Sequence, residues 1–382
     1  MKSISFILGA GFSAYAQIAD RKAVNEKLKN LKAKDFIIST VSIAYFIPEN
    51  YPNSKWLNVN ERNFIEYFIA KYVSNNPDFD YEKFYDYCMN LYKNHSTSTE
   101  LNVIYNEYLQ DHPYHRIDKL NSISILIRTV DQLIDSILYN DKDLFENGII
   151  DKYQNFLKII EKLIDDGYEI NLFTLNHDLL LERLLSTGLT YTYADGFQYF
   201  KTPYFIKQGN QQIRISYYTK NFNSQINIFK LHGSIDNYII NYSEPYDMVK
   251  IPKQLNLLEI YREQEVDSKH VEVHLWTLYK PSFLSGDETK VEKYKSHNYY
   301  LELFKEFCSR LSKADMLISI GYGLMDSEIN KMIFEHFPED KKILVVKRSK
   351  TDLDFFKSKN VIHFGDNKEL KDLTVDDIKK YL

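Results

Sequence analysis

Ser3-Ile4-Ser5-Phe6-Ile7-Leu8-Gly9-Ala10-Gly11-Phe12-Ser13-Ala14 is the stretch that decides the fold. A short apolar run closed by glycine reads as a buried strand, Ser3–Leu8. The residues Gly9–Ala14 have the G-x-G-x-x-A spacing that joins a strand to a helix, with the helix expected from about Ser13. The first glycine permits the turn. The second lets the backbone approach a pyrophosphate at the positive end of the helix. Ser13 could cap the helix or donate to phosphate, and an ordinary tight turn is the competing explanation. Dehydrogenases place an acidic residue about 20 positions further on. Asp35 stands near that spacing but precedes its apolar run, which disfavours hydride transfer.

Outward from this unit, strand and helix alternate. Asp151–Asp166 is an amphipathic helix stopped by Gly167, Tyr168–Thr174 a strand, and His177–Ser186 a helix ended by Gly188. Gln225–Leu231 is a strand, Asn298–Lys313 a helix and Asp315–Gly321 a strand. Asp326–Phe337 is a helix capped by Asp326. Lys342–Lys347 and Asn360–Phe364 are further strands. Such alternation means right-handed crossovers and a parallel sheet covered on both faces. The fold class expected is therefore α/β, a Rossmann-like parallel sheet with helices on both faces. Residues 36–147 differ: they are aromatic-rich, with helical spacing in Glu61–Val73, Tyr81–Tyr92 and Ile123–Tyr139, and with breaks at Pro48, Pro52, Pro77 and Pro113. They read as a helical insertion within a domain formed by residues 1–35 and 148–382. The stretches 195–224 and 236–296 read as irregular insertions, where Tyr191–Tyr193 and Ile213–Tyr218 could form small strands.

Six of the twelve glycines lie at strand tips, in Gly9-Ala10-Gly11, His232-Gly233, Gly321-Tyr322-Gly323 and Gly365-Asp366. Ligands of open α/β sheets bind at the carboxyl ends of strands, so glycine spent there points to one shared pocket. A fifth tip, Thr174-Leu175-Asn176-His177-Asp178, carries polar side chains instead. Asn176 can donate and accept; it could equally be the cap of the following helix. His232, at the end of a strand and before a glycine, can reach a pocket as a general base near neutral pH; a turn histidine bonded to backbone is the alternative. His177 is expected to face the other side.

Bulk properties narrow the class. The hydrophobic fraction is 44% and aromatics make up 15%, which excludes a disordered chain. Net charge is −5 and no basic run stands out, so nucleic acid is not an expected partner. Cys88 and Cys308 are too few for a zinc ribbon or a disulfide framework, so no metal is expected and a reduced, cytoplasmic setting fits. The start lacks the long apolar region of a signal peptide. No run approaches the roughly 20 apolar residues of a membrane span.

Taken in order, Gly-Ala-Gly-x-Ser, Thr-x-Asn-x-Asp, His-Gly, Gly-Tyr-Gly with Asp326, and Gly-Asp make the chain resemble the sirtuin superfamily, and more narrowly the sirtuin-like domains of bacterial antiphage defence. By position, the resemblance implies that Gly9, Ala10, Gly11, Phe12 and Ser13 line the phosphates of NAD+. It makes Asn176 and His232 the catalytic pair, with Thr174 beside Asn176 and Asp178 on the nicotinamide carboxamide. Gly321 and Tyr322 would contact the adenosine half, and Gly365 and Asp366 the adenine.

The departures from the family also carry information. Residues 235–300 hold no cysteine, so the four-cysteine zinc module of the deacylases is absent. Their Gly-Ile-Pro-Asp-Phe-Arg stretch is missing too. Both losses point to water as the acceptor, hence to an NAD+ glycohydrolase, with NAD+ as substrate and ADP-ribose or a cyclised form as product. A sensor that binds NAD+ or ADP-ribose and acts by assembly, and a protein deacylase, are the alternatives. Uncontrolled hydrolysis would kill the host. The family resemblance accordingly implies gating, through a homo-oligomer or a HerA-type hexameric ATPase partner.

Overall fold

The computed structural model describes residues 2–18, 21–33, 59–95, 98–115, 117–139, 144–145, 148–240, 247–253, 255, 259–275, 281–286, 290–292, 297–347, 359–364 and 368–382. Asp35, Pro48, Pro52, Gly365 and Asp366 lie outside these residues. The strands are β1 (Ser3–Leu8), β2 (Glu169–Thr174), β3 (Tyr193–Ala194), β4 (Gly196–Gln198), β5 (Tyr204–Gln208), β6 (Gln211–Arg214), β7 (Ser216–Asn221), β8 (Ile226–Lys230), β9 (Asn237–Ile240), β10 (Asp247–Lys250), β11 (Ile260–Val266), β12 (Lys269–His274), β13 (Met316–Ile320), β14 (Lys342–Val346) and β15 (Asn360–His363).

Among them, seven form one parallel sheet in the order β15-β14-β13-β1-β2-β8-β3. Every residue of β1 is buried, as a central strand covered on both faces requires. Alternate side chains go to opposite faces. Ile4, Phe6 and Leu8 join a core with the helices Ile149–Asp165 and Leu180–Gly188. Ile7 joins a second core with the helices Asn298–Leu311 and Ser327–His336. The mixed α/β architecture expected from the sequence is thus present.

Four boundaries differ from the sequence expectation. The helix after β1 starts at Ala10 and ends at Ala14, because the glycine turn is itself the first helical turn: Phe12 N–H donates to Gly9 O at 2.9 Å. The helix expected from His177 starts at Leu180. The segment before it is irregular, and Asp178 rather than Asn176 supplies the side-chain acceptor, with Leu180 N–H donating to Oδ1 at 2.9 Å. The stretches read as irregular build two four-stranded sheets, β4-β7-β10-β9 and β12-β11-β5-β6, with antiparallel pairing. Finally, Val24 and Leu28 of the helix Arg21–Lys29 pack with the helices Val59–Asn75, Tyr81–Lys93, Thr99–Asp111 and Lys119–Leu138. The helical layer therefore takes in residues before 36. No helix among the described residues is long and apolar enough to cross a membrane.

Chain order reverses at β1. Later segments lead through β2 and β8 on one side, while β13, β14 and β15 return on the other. This is the switch point at which open sheets form a crevice. Its floor is the contact of two glycine turns. Gly9 N–H donates to Ile320 O (3.1 Å) and Gly11 N–H to Gly321 O (3.0 Å). Gly321 has φ +61, and a Cβ there would sit 2.4 Å from Phe12 N. Gly209 has nearly the same φ, +59, but a Cβ there would meet nothing within 4 Å. Gly209→Ala should therefore cost only the left-handed strain, about 1–2 kcal/mol. Gly321→Ala should cost about 1–3 kcal/mol more, because backbone must move. Equal urea midpoints for the two variants would contradict this account of the turn.

Candidate functional site

The strands β1, β2, β8 and β13 are neighbours, so their carboxyl tips converge. Gly9, Ala10, Ser13, Asn176, Asp178, His232, Gly321 and Tyr322 all line one cavity of about 360 Å³. Gly11, Gly321 and Tyr322 line an adjoining cavity of about 340 Å³ that runs toward Lys347 and Lys368. Each lies in the range of small-molecule pockets. The sequence-derived residues are thus brought together, with exceptions. Phe12 is buried in the core, edge-on to Tyr153 and Phe156. Thr174 is buried beneath the cavity, where its Oγ1 accepts from Asn176 N–H at 3.1 Å. Gly11 spends its N–H on Gly321 rather than leaving it open. Gly365 and Asp366 lie outside the described residues.

A hydrogen-bond chain organises the β1 and β2 tips. Asn176 Nδ2 donates to Gly9 O (2.9 Å) and to Ser13 Oγ (2.9 Å), and Ser13 Oγ donates to Asp178 Oδ2 (2.8 Å). A carbonyl only accepts, so Gly9 O fixes the amide orientation. The Ser13 proton then has one destination, the Asp178 carboxylate. What remains for a ligand is Asn176 Oδ1, which accepts from no described group. Asp178 uses both oxygens within the protein, on Ser13 and on Leu180 N–H. Lys230, only 4% exposed, donates to Asp178 O and pairs with Glu182 at 3.4 Å.

The β8 tip is held from three sides. Leu231 N–H donates to Thr174 O (3.0 Å), Leu284 N–H to His232 O (2.8 Å) and Ile235 N–H to His177 O (3.0 Å). Gly233, at φ +80, is where the backbone passes against Ser282 and Phe283. His232 is buried, and its Nε2 lies 3.1 Å from Asp326 Oδ2. Burial lowers the His232 pKa and Lys290 adds to that, while Asp326 opposes it. Burial alone would raise Asp326, but His232, Lys290 and the Ile329 N–H hold it well below the usual carboxylate range.

The residues not identified from sequence come from distant segments. Arg21, Tyr81, Glu82, Ile134, Leu138 and Lys290 line the same cavity. Nothing in their local sequence marks them. Asp326 enters the sequence reading as a helix cap and as a member of the Gly-Tyr-Gly motif, with no role in the site; it does cap, accepting from Ile329 N–H at 3.1 Å. The expectation for His177 is corrected. Because the helix begins only at Leu180 and 175–179 is irregular, its ring turns into the same cavity, 6.1 Å from the His232 ring and 4.8 Å from Phe283. Its Nδ1 is shielded and has no hydrogen-bond partner among the described residues, and burial, His232 and Lys230 push its pKa well down. Among the described residues, no group of three or more His, Cys, Asp or Glu is placed to hold a metal ion.

No family model matches the chain, and no curated protein matches it. Among solved structures it is similar to Sir2Tm bound to a propionylated peptide. That likeness has 10% identity and a TM-score of 0.35, covering 99% of this chain and 92% of that one. It is also similar to a structure from work on the structural basis of sirtuin substrate affinity, with 11% identity and a TM-score of 0.32, covering 100% and 93%.

Two histidines kept uncharged by the fold have a consequence for acid stability. Their folded pKa values lie below the ordinary 6.5, so the unfolded chain binds more protons in that window. Stability from this source is complete above about pH 6.5 and is lost as pH falls through the folded values. Urea midpoints of the parent should drop more steeply below pH 6.5 than those of a His177→Gln/His232→Gln variant. Parallel pH profiles would refute this.

Proposed function

We propose that this protein binds NAD+ in the crevice at the switch point and hydrolyses its nicotinamide–ribose bond, releasing nicotinamide and ADP-ribose. One observation carries the reading: Asn176 and His232, 56 positions apart in sequence, stand on adjacent strand tips and line one cavity. Two adjoining cavities joined at Gly321–Tyr322 suit an elongated ligand with two heads.

The chemistry is undemanding of acid. The bond from ribose C1′ to nicotinamide nitrogen breaks through an oxocarbenium-like transition state. Its electron pair goes to the nicotinamide ring, which leaves neutral, so no group need protonate it. Water then bonds to C1′ and loses a proton. His232, uncharged at neutral pH, accepts that proton or one from a ribose hydroxyl, a contribution of roughly 10²–10⁴-fold. Asn176, its amide nitrogen fixed by Gly9 and Ser13, presents Oδ1 to the water or ribose. Each Asp178 oxygen keeps a second lone pair for the carboxamide. The adenosine half extends over Gly321 and Tyr322.

Such an activity fits a gated effector of antiphage defence. Gating acts through self-assembly or a HerA-type ATPase, and Tyr81, Glu82, Ile134 and Leu138 of the helical layer line the cavity and offer it a physical route.

Nicotinamide release, measured on purified protein with and without a candidate partner, tests the reading. Asn176→Ala and His232→Ala should each abolish release, about 10²-fold or more, while keeping the parent's thermal midpoint within a few degrees. Release at the parent rate by Asn176→Ala would contradict the assignment.

A further inference from the structure

We propose that Asp326 is the positioning residue of His232, and that Lys290, held from the helical layer by Glu82, shares the same carboxylate oxygen and so sets how firmly that histidine is held. This rests on the reading of His232 as the proton acceptor in the cleft.

The geometry is a chain of alternating charges along the cavity wall. His232 Nε2 lies 3.1 Å from Asp326 Oδ2, and Lys290 Nζ lies 3.6 Å from the same oxygen. Lys290 Nζ is also 3.8 Å from Glu82 Oε1. Glu82 in turn pairs with Arg21 at 3.1 Å, and Arg21 with Asp80 at 2.6 Å. His232, Glu82 and Lys290 are each under 10% exposed. Charges withdrawn from water in this way act strongly on one another.

Each link has a distinct task. The second oxygen of Asp326 is committed to Ile329 N–H, so its helix fixes where Oδ2 points. A carboxylate beside Nε2 keeps the proton on that nitrogen and leaves Nδ1 as the lone-pair nitrogen of the neutral ring. That selects one tautomer for proton acceptance, the role carboxylates play beside histidine bases generally. Lys290 competes for the same oxygen. Closer approach of Lys290 to Asp326 weakens the hold on the imidazole, and withdrawal toward Glu82 strengthens it. Asp80 and Glu82 begin the helix Tyr81–Lys93, so displacement of that layer reaches His232 through two side chains, Lys290 and Asp326.

Other titratable groups face this histidine. The His177 ring lies 6.1 Å from it, with Lys230 acting on His177 rather than on His232, and burial and Lys290 disfavour a charged ring at His232. Asp326 is the neighbour that opposes them.

The test is histidine-ring NMR titration of the intact protein, with the His232 signal assigned by its loss in His232→Gln. Asp326→Asn keeps a good helix cap but removes the charge, and should lower the His232 pKa. Lys290→Met should raise it. Opposite shifts support the proposal; unchanged titration, or shifts of the same sign, overturn it. Nicotinamide release should fall on the order of 10²-fold in Asp326→Asn, with the loss in turnover rather than in KM. If the parent protein releases no nicotinamide, the hydrolase reading fails, and the two opposite titration shifts still decide whether Asp326 and Lys290 act on His232 as stated.

Discussion

The close contact between the turns Gly9–Gly11 and Gly321–Gly323 is the constraint on which the rest depends. Two parallel strands can sit side by side with loops that diverge. Here the loops meet, backbone on backbone, with Gly11 N–H on Gly321 O and no room for a Cβ at Gly9, Gly11 or Gly321. The contact closes the floor of the crevice and sets the height at which the next layer begins. That layer is the Asn176–Ser13–Asp178 chain on one side and Tyr322 on the other. Tyr322 donates to Asn330 Oδ1 at 2.8 Å and so ties its turn to the helix that Asp326 caps. Glycine at these turns thus serves the fold first, and whatever it offers a ligand comes second.

Much of this is legible in sequence because it is local. A strand buried on both faces reads as an apolar run closed by glycine, and β1, β2, β8, β13 and β14 fall within a residue or two of where such runs stand. Motif order along the chain identifies which tips matter, and parallel pairing of β1, β2 and β8 then brings those tips together. What escapes depends on pairing across long separations. The two smaller sheets are built from strands rich in polar and charged residues, such as Ile260–Val266 and Lys269–His274, with no continuous apolar run to mark them. His177 is misplaced from sequence because the helix begins about one turn later than the polar cluster suggests. Arg21, Glu82 and Lys290 reach the cavity from segments whose own sequence is that of ordinary solvated helix or loop, and only the packing of the helical layer on the sheet turns them inward.

Polar groups are concentrated where the fold can least easily bury them. Lys230, Glu182, Asp178, His232, Lys290 and Glu82 are all under 10% exposed and lie on or just behind the cleft. Buried ion pairs contribute little net stability, since desolvation offsets attraction. Their presence beside the strand tips therefore asks for a reason other than stability, and fixing the Asp178 carbonyl, the Ser13 proton and the His232 ring supplies one. The helical layer is part of that arrangement, since it furnishes one wall of the cavity and one end of the charge chain.

The central claim is that a single dinucleotide lies across the crevice with its scissile carbon between Asn176 and His232. A crystal structure with NAD+ bound to the Asn176→Ala protein tests it most directly. The account predicts the nicotinamide ribose against residue 176 and His232, and the adenosine over Gly321 and Tyr322 toward Lys368. Density for the dinucleotide elsewhere on the surface, or in the crevice with its two ends reversed, would contradict it.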